Sequence, residues 1–430
     1  MKTVSFYTLG CKVNQYETNA MAQKFANNGY KIVHEGENAD IAIVNTCTVT
    51  NMSDRKSRQL LRRIKHLNPN TIVVAVGCYV QVAKDKVEKI PEIDLVLGNN
   101  EKQDIVKYVE KYIDDYNRLN EVSDVMHKKE FVDLGIITYT EQTRAVIKIQ
   151  DGCDRFCSYC IIPYARGRVR SRKPESIIEE AQKQVKYGIQ EIVITGIHVA
   201  SYGKDFDEDY KLIDLLEDLN KIDGLKRIRL SSIESMIITD EFLERLSKLE
   251  KICHHFHLSL QSGCDETLER MNRRYTTVKF MEVVKKLRKE YEDVILTTDI
   301  IVGFPGETEE EFETTYKFLK DVKFYKMHVF KYSQREGTKA AVMPGQIDGK
   351  IKESRSQRLI ALSNQNQKEY NKQYIEKDVE VLFEERDGKY YKGHTANYIL
   401  IKYDTEEELE NCIKTVKVID QEEDYLIAKW

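Results

Sequence analysis

The stretch that decides the fold is RAVIKIQDGCDRFCSYC, residues 144–160, in which a β-branched run leads directly into three cysteines. Such a run is typical of a buried strand, so Cys153, Cys157 and Cys160 are expected on the loop that leaves its carboxyl end. Structural zinc normally takes four ligands, and no fourth Cys or His stands in this loop. An iron–sulfur cluster held by three cysteines would leave one iron open to a substrate or cofactor. The CxxxCxxC spacing therefore favours an iron–sulfur site over zinc.

Strand-like and helix-like segments alternate around this loop between about residues 144 and 335. Six strands are predicted, separated by helical periods such as PESIIEEAQKQVKYG. Six βα units fall short of the eight that close a full barrel, so we expect an open, partial (βα)6 barrel in an α/β protein. Functional residues of such barrels lie at the carboxyl ends of the strands. The strand candidates are RAVIKIQ, EIVITG, RIRLSS, FHLSLQ, ILTTDIIVGF and KMHVFKYS.

The first region, residues 1–116, also alternates strand and helix, which predicts a doubly wound parallel sheet. Three of its cysteines share one context, because Cys11, Cys47 and Cys78 each follow a predicted strand, in FYTLGC, AIVNTC and VVAVGC. Parallel strands end at one edge of a sheet, so these thiols can converge although they are far apart in sequence. Taken singly, each would be an ordinary buried cysteine. Together they predict a second three-thiolate site.

Composition and pattern also indicate where the remaining segments of the chain begin and end. Residues 117–143 are polar and are interpreted as a linker, and the barrel region with its C-terminal helix is assigned to residues 144–370. In residues 371–430, short alternating segments are separated by turn residues, which predicts a small antiparallel β-barrel. Small barrels of this kind often bind nucleic acid, although a fold alone does not establish a function. The segments are KDVEVLFEER, KYYKGHTANYILIKYD, CIKTVKVIDQ and DYLIAKW.

The overall composition is that of a globular protein. Of 430 residues, 41% are hydrophobic and 32% are charged, and the formal net charge is −4. The N-terminus has no basic segment followed by an apolar one, and the longest apolar run, TIVVAVGCYV, is far shorter than the ~20 residues of a membrane helix. We therefore expect a cytoplasmic protein without a membrane partner. Nine cysteines in that compartment indicate metal or redox chemistry rather than disulfides.

Two basic stretches stand out on this mildly acidic chain, SDRKSRQLLRRIKH at 53–66 and ARGRVRSRK at 165–173. Clustered Arg and Lys side chains bind nucleic acid through counterion release even when the total charge is acidic. Taken alone, the stretch at 53–66 is more simply interpreted as a solvated helix face. The local charge is thus compatible with an RNA partner without requiring one.

The cysteine loop resembles that of the radical S-adenosylmethionine enzymes, since CxxxCxxC follows the first strand of a six-unit βα barrel. Tyr159 fills the aromatic position that the family has just before its last cysteine. The resemblance implies a [4Fe-4S] cluster whose open iron binds S-adenosylmethionine, so that reduction yields a 5′-deoxyadenosyl radical while the protein orients the cofactor. It also places cofactor contacts beside the loop and at other strand ends, namely Tyr159, Thr195, Gly196, Ser232, Glu234, Gln261, Asp299 and Gly303.

The whole chain resembles the radical S-adenosylmethionine methylthiotransferases, which combine two three-cysteine sites with a C-terminal TRAM domain. TLGCKVNQYE, residues 8–17, is similar to the branch that adds a methylthio group to C2 of threonylcarbamoyladenosine next to the tRNA anticodon. GCQMN is typical of the branch acting on isopentenyladenosine, and GCPKN of the branch acting on an aspartate of a ribosomal protein; both remain alternatives. The chain departs from the family at Ser235, where a proline is usual, and in the acidic segment DTEEELEN of the TRAM region.

The resemblance implies two [4Fe-4S] clusters, the second bound by Cys11, Cys47 and Cys78 and holding the sulfur to be transferred. The expected partners are S-adenosylmethionine and the tRNA anticodon loop, whose bases can be splayed out and bound individually. An electron donor and a sulfur donor are also required, and the sequence identifies neither.

The remaining cysteines, Cys253, Cys264 and Cys412, are interpreted as non-ligands. A zinc-stabilised RNA-binding protein without catalytic activity is the remote alternative, and metal content would separate it from a radical enzyme. Four arginines follow the barrel cysteine loop and are predicted to bind anticodon phosphates, Arg166, Arg168, Arg170 and Arg172.

Overall fold

The N-terminal region is built on a six-stranded parallel sheet. The computed structural model describes residues 1–137 and 143–429 of the chain. The strands of the sheet are β1 (Thr3–Thr8), β2 (Lys31–Val33), β3 (Ile41–Thr46), β4 (Ile72–Gly77), β5 (Leu95–Leu97) and β6 (Leu119–Glu121). The helices are α1 (Lys12–Asn27), α2 (Asn51–Leu67), α3 (Cys78–Val82), α4 (Lys84–Val87) and α5 (Ile105–Asp115), with a 3-10 helix at Glu101–Asp104.

The strand order is β2-β1-β3-β4-β5-β6, and every neighbouring pair is parallel. Both faces of the sheet are covered, by Leu61 of α2 on one side and Phe25 of α1 on the other, so all six residues of β3 are buried. The predicted doubly wound sheet is confirmed. The winding reverses between β1 and β3, which is where such sheets form ligand sites. The edge strands β2 and β6 are absent from the sequence prediction, and β6 lies in the segment interpreted as a linker.

The middle region is a partial βα barrel. Its strands are β7 (Arg144–Asp151), β8 (Arg170–Ser171), β9 (Glu191–Gly196), β10 (Arg227–Leu230), β11 (His255–His257), β12 (Ile295–Val302) and β13 (Lys326–Lys331). Its helices are α6 (Ile162–Arg166), α7 (Pro174–Lys186), α8 (Leu212–Asn220), α9 (Asp240–Leu246), α10 (Asp265–Arg270), α11 (Thr277–Glu290), α12 (Glu309–Val322) and α13 (Gly349–Lys372). Further 3-10 helices span Val199–Ser201, Ser235–Ile237 and Lys339–Val342.

Six of these strands, β7 and β9 to β13, run parallel in chain order. Isolated bridges from Ile228 to Ile252 and from Ile233 to Leu258 join the two sheets between β10 and β11. The two-residue strand β8 pairs antiparallel with β7 and lies outside the predicted set. The predicted open (βα)6 barrel is confirmed. Its outer helices start at ordinary caps, as where Thr308 begins α12 with a capping box.

A closed five-stranded barrel ends the chain, with strand order β14-β15-β16-β18-β17. Its strands are β14 (Asp378–Asp387), β15 (Tyr390–Thr395), β16 (Leu400–Asp404), β17 (Ile413–Gln421) and β18 (Leu426–Lys429). Only β16 and β18 pair in parallel, so the predicted small antiparallel barrel is confirmed. The predicted segment 389–404 contains two strands, because the chain turns between them at Tyr398, whose φ is 75°.

The segment interpreted as a linker packs against its neighbours. Its first residues form β6 of the N-terminal sheet, while Val132, Leu134 and Ile137 pack with Tyr16 and Ala20 of α1. Residues 138–142 of this segment lie outside the described residues. Within the described parts of the chain, no helix combines the length and the apolar character that crossing a membrane requires.

A buried charge network joins the N-terminal region to the middle barrel. Glu17 of α1 accepts hydrogen bonds from Lys102, Lys148 and Arg166, and Lys148 also donates to Asp151 at 2.6 Å. All five side chains are at most a few per cent exposed. Charged partners from four distant segments thus pair with one another inside the protein, and an unpaired member would be costly there.

Three of the four arginines predicted to bind anticodon phosphates lie in the interior, so that prediction is wrong for them. Arg166 is 0% exposed in this network, and Arg170 donates to the Arg166 carbonyl at 2.7 Å. Arg172 donates to Glu180, and to the Tyr16 hydroxyl at 3.1 Å. Their carboxylate partners come from distant segments, so a local excess of positive charge does not reveal them. Arg168 alone of the four points outward, with 54% of its side chain exposed.

The network also fixes charge states. Burial by itself would raise the pKa of Glu17, but Arg166, Lys102 and Lys148 hold it well below its usual value of 4.5. Burial would likewise raise the pKa of Asp151, but Lys148, Arg166 and Arg170 lower it to about 2. Both carboxylates are therefore ionised at neutral pH.

Replacing Glu17 with Gln should destabilise the protein by about 3–5 kcal/mol, because it removes a carboxylate that pairs with three buried cations and leaves one of them, Lys102, with no counter-charge in the described parts of the chain. The free energy of unfolding, measured by urea titration, tests this. Glu179→Gln is the matched control, since Glu179 pairs with Lys183 in the open with 56% and 42% of their side chains exposed. Its loss should be about 0.3–0.5 kcal/mol.

The pH dependence gives a second check. Carboxylates with a lowered pKa contribute stability that is complete above their unfolded pKa of about 4 and is lost as the pH falls towards 2. The difference between wild type and Glu17→Gln should therefore shrink below pH 4. A Glu17→Gln variant as stable as Glu179→Gln at pH 7 would contradict the role assigned to the network.

Candidate active site

One large cavity of about 820 Å³ brings the three regions together, a size typical of ligand and cofactor sites. The N-terminal region contributes Cys11 and Lys12, and the C-terminal barrel contributes His394 and Tyr398. The inner face and strand ends of the middle barrel supply most of the rest. The cavity thus lies where the carboxyl ends of two parallel sheets meet, as expected for open α/β folds.

The barrel cysteine loop forms one wall, and Cys153, Cys157 and Cys160 all line the cavity. Backbone hydrogen bonds fix the loop, from Cys153 N–H to the Gly167 carbonyl at 3.0 Å and from Ser158 N–H to the Met271 carbonyl at 3.0 Å. Burial raises the pKa of Cys153 to about 11 and that of Cys160 to about 12, and the Cys157 thiolate adds to both shifts. The three thiols therefore lie close enough to interact electrostatically at one wall of the cavity.

The N-terminal thiols also converge, at the carboxyl ends of the adjacent strands β1, β3 and β4. Burial raises the pKa values of Cys11 and Cys47, and the Cys78 thiolate raises both further. Gly10 allows the close approach: its φ is 108°, and a Cβ there would lie 2.8 Å from the Cys47 sulfur. Cys11 is exposed to the cavity, whereas Cys47 and Cys78 are buried behind it.

The donor sets suit a polynuclear cluster. All six cysteines are free thiols, and each set places three sulfurs around a shared space. Among residues 1–137 and 143–429, no three His, Cys, Asp or Glu side chains are close enough to bind one metal ion. Structural zinc takes four protein ligands, whereas a [4Fe-4S] cluster with one open iron takes three thiolates, so the chemistry of each donor set suits a cluster better than structural zinc.

Most of the predicted cofactor contacts line the cavity. Thr195 and Gly196 end β9 and line the cavity, and a Cβ on Gly196 would lie 3.1 Å from Gln150, so there is little room for a side chain at this position. Gly303 is the exception, since it lies against Lys352 and donates its N–H to Glu307 at 2.6 Å. Its positive φ of 68° serves a turn outside the cavity lining. The predicted residues that do line it are Tyr159, Thr195, Gly196, Ser232, Glu234, Gln261 and Asp299.

Glu234 is the main anion beside the barrel cysteine loop. It accepts a hydrogen bond from Arg155 and lies 3.5 Å from His198 and 3.8 Å from Arg273. Burial would raise its pKa, but His198 with the two arginines lowers it to about 2. The strand end thus presents a fixed carboxylate, which is suited to an ammonium group of a ligand.

Several cavity residues are missing from the sequence prediction. Arg273 donates to the Cys157 sulfur at 3.4 Å and to the Ser259 carbonyl at 3.0 Å, yet nothing in MNRRY marks it. His255 and His257 both point inward on β11, on either side of the buried Phe256. His257 lies 3.2 Å from Asp299. The alternation of HHFH was a signal for these two residues, whereas Arg273 becomes visible only in three dimensions.

The three cysteines interpreted as non-ligands have other surroundings. Cys253 is buried near Arg229, and Cys264 donates to Glu266 at 2.9 Å. Cys412 is exposed on the C-terminal barrel, where it contacts the Glu410 carbonyl at 3.6 Å.

An exposed aromatic and cationic cluster borders the loop. The Arg168 guanidinium lies 4.8 Å from the centre of the Phe156 ring, and Tyr164 packs edge-on against Phe156 at 5.9 Å. Tyr164 is 43% exposed. We call these three residues the rim cluster.

A thiol loop after the first strand of a partial βα barrel defines the class of radical S-adenosylmethionine proteins, and residues 147–319 match the family model described as the Radical SAM superfamily. Residues 3–98 match the model described as the uncharacterized protein family UPF0004. Among solved structures, the radical S-adenosylmethionine methyltransferase TsrM from Kitasatospora setae has the same fold, with a TM-score of 0.60 at 14% identity over 79% of this chain and 77% of that one.

Curated relatives specify the family further. The chain is 44% identical to the threonylcarbamoyladenosine tRNA methylthiotransferase MtaB of Bacillus subtilis, over 97% of this chain and 94% of the relative. It is 37% identical to the tRNA-2-methylthio-N(6)-dimethylallyladenosine synthase of a Thermoanaerobacter species, over 96% of this chain and 89% of the relative. The chain therefore belongs to the radical S-adenosylmethionine methylthiotransferase family.

Proposed function

We propose that this protein transfers a methylthio group to C2 of threonylcarbamoyladenosine beside the anticodon of tRNA. The observation that carries the proposal is the meeting of two thiol triads at one cavity: Cys153, Cys157 and Cys160 on the barrel loop, and Cys11 in front of Cys47 and Cys78. When bound, a [4Fe-4S] cluster on each triad together with S-adenosylmethionine would supply the radical chemistry and the sulfur. Two open clusters explain why each triad stops at three ligands.

The side chains of the cavity orient and enclose the reactants. Glu234 is placed to accept hydrogen bonds from the amine of the S-adenosylmethionine methionine moiety, and Thr195 and Gly196 line the same cavity. Arg273 holds Cys157 and Tyr275 in position. Walls from all three regions surround the reactants on several sides, which limits the approach of water to a reactive intermediate.

The choice of adenosine is the finer part of the proposal. Greater identity to the threonylcarbamoyladenosine relative than to the dimethylallyladenosine relative supports it, as does GCKVN around Cys11. Dimethylallyladenosine, which is isopentenyladenosine, is the second candidate substrate, because that relative also covers most of the chain. An aspartate side chain of a ribosomal protein remains the third.

RNA contacts are proposed on two surfaces. The rim cluster offers an exposed ring edge and one cation beside the cavity, a combination that stacks on bases and binds phosphate. Helix α2 presents further exposed cations, Arg55, Lys56, Arg62 and Arg63, on the side away from its buried Leu61 and Ile64. Together they replace the buried arginines as the candidate phosphate contacts.

Cysteine replacement tests the two-cluster proposal. After anaerobic reconstitution the wild type should hold about eight irons per chain and convert threonylcarbamoyladenosine in tRNA to its 2-methylthio form. Cys157→Ala should abolish both S-adenosylmethionine cleavage and methylthio transfer, whereas Cys47→Ala should keep cleavage, hold about four irons and make no 2-methylthio product. Mass spectrometry of tRNA nucleosides and iron analysis give the readouts.

Cys412→Ala is the control, because this exposed thiol is far from the cavity in the C-terminal barrel, and it should behave as wild type. Zinc without iron in the purified protein would overturn the radical mechanism, and methylthio transfer by Cys47→Ala would overturn the second cluster site.

Gly10→Ala should disrupt the N-terminal triad without touching a cysteine. The new Cβ would meet the Cys47 Cβ and sulfur at 2.8 Å, so Cys47 must move. We expect about four irons instead of about eight, with S-adenosylmethionine cleavage retained. Gly29→Ala is matched in backbone strain, since its φ is 80°, but meets nothing within 4 Å, and it should keep both clusters. Equal iron contents in the two variants would contradict the close-approach argument.

Arg168→Ala should weaken binding of an anticodon stem-loop and reduce the slope of log affinity against log salt by about one. Tyr164→Ala should weaken it by about 1–3 kcal/mol through lost base stacking. Arg245→Ala on α9 is the control, because its guanidinium is engaged by Asp214 and Glu217. Fluorescence anisotropy at several salt concentrations measures all three, and an unchanged affinity and slope for Arg168→Ala would remove the rim cluster from the interface.

A further inference from the structure

Lys12 is a cation inside the cavity without a partner. It follows Cys11 at the start of α1, and its side chain is exposed to the cavity rather than packed. It makes no hydrogen bond or ion pair with any residue of 1–137 or 143–429. A recessed ammonium of this kind is favourable when a ligand brings the counter-charge.

Other cations of the cavity are already engaged. Arg229 donates to Glu191 at 2.6 Å, Arg155 to Glu234, and Arg273 to the Cys157 sulfur and the Ser259 carbonyl. Lys326 also lines the cavity and begins β13, at the end of the barrel opposite the cysteine loop. The Lys12 ammonium is near Tyr398 and Glu191 towards the same end, but its backbone directly follows Cys11 of the N-terminal triad. Of the two lysines that line the cavity without an ion-pair partner among the described residues, Lys12 is therefore the one that the chain joins to the triad.

The chemistry of the candidate substrates separates them at this point. Threonylcarbamoyladenosine carries a free carboxylate and a hydroxyl on its N6 substituent, whereas the dimethylallyl group is an uncharged hydrocarbon. In adenine, C2 and C6 are both bonded to N1. A substituent on N6 is therefore attached to the same six-membered ring as the reacting carbon, C2. A base whose C2 faces Cys11 would therefore extend its N6 substituent into the cavity that the ammonium of the next residue, Lys12, also lines.

We propose that the Lys12 ammonium binds the carboxylate of the threonylcarbamoyl group and thereby selects this nucleoside over uncharged N6-modified adenosines. This inference rests on the proposed function and deepens it by naming the group that determines specificity. Lys12 is a specificity residue for the substrate, and the radical chemistry is carried by other groups.

Binding of synthetic anticodon stem-loops to the full chain tests the proposal without turnover. The four probes differ only in the adenosine: threonylcarbamoyladenosine, its methyl ester, dimethylallyladenosine and unmodified adenosine. Wild type should prefer the acid over the ester by about ten- to hundredfold, the range of one charge-assisted hydrogen bond. Lys12→Met should bind acid and ester alike, and Lys12→Arg should retain the preference. Lys24→Met, at the other end of α1, is the control and should match wild type.

The outcomes distinguish this inference from the function on which it rests. A wild type that does not distinguish threonylcarbamoyladenosine from adenosine would count against the proposed substrate itself. A wild type that prefers the acid while Lys12→Met keeps the preference would overturn the role of Lys12 alone, as would loss of the preference in Lys326→Met with Lys12→Met unaffected. Unchanged affinity of Lys12→Met for the unmodified stem-loop shows that the variant is folded. Because Lys12→Arg keeps the positive charge but changes the shape of the side chain, its preference for the acid shows that the charge is what matters.

Discussion

The arrangement of the whole site depends on the hydrogen bonds and ion pairs that the Arg166 guanidinium makes. It donates to Glu17 of α1, to the Asn14 side chain at 2.7 Å and to the Cys78 sulfur at 3.2 Å, and it approaches Asp151 at 3.3 Å. One planar cation thus joins the N-terminal sheet, its first helix and the end of β7. A fork of fixed donors can do this, whereas the point charge of a lysine cannot.

The same network sets the electrostatics of the N-terminal triad. Lys102, Lys148, Arg166 and Arg170 surround only two carboxylates, those of Glu17 and Asp151, so positive charge is in excess where Cys78 lies. Arg166 of this network opposes the rise that burial causes in the pKa of Cys11, although burial is the larger effect. Asp151 also accepts the Gly152 N–H at 2.8 Å, directly before Cys153. The scaffold that holds one triad therefore continues into the loop of the other.

A feature of the fold or the site could be predicted from the sequence when its residues form a local pattern, and could not when its partners are far apart in the chain. The six cluster cysteines were recognisable because strand periodicity and the parallel arrangement place thiols at strand ends. The arginines after the barrel loop were not, because Glu17 and Lys102 are needed to see that Arg166 is buried. Arg273 reaches Cys157 across more than a hundred residues and carries no local pattern. Lys12 was visible in GCKVN, but its position in the cavity depends on how α1 packs against the barrel.

The C-terminal barrel has a structural role in the cavity that its acidic segment does not suggest. Tyr398 stacks between the rings of His255 and His394, at 4.9 Å and 4.6 Å, and the Arg229 guanidinium lies 4.7 Å from its ring centre. Its left-handed backbone is an unusual conformation for a bulky residue, so these contacts must outweigh the strain. Because Arg229 pairs with Glu191, the first residue of β9, Tyr398 covers the end of the barrel opposite the cysteine loop. The C-terminal barrel therefore helps to close the cavity at the end opposite the cysteine loop, whichever of its outer residues contact RNA.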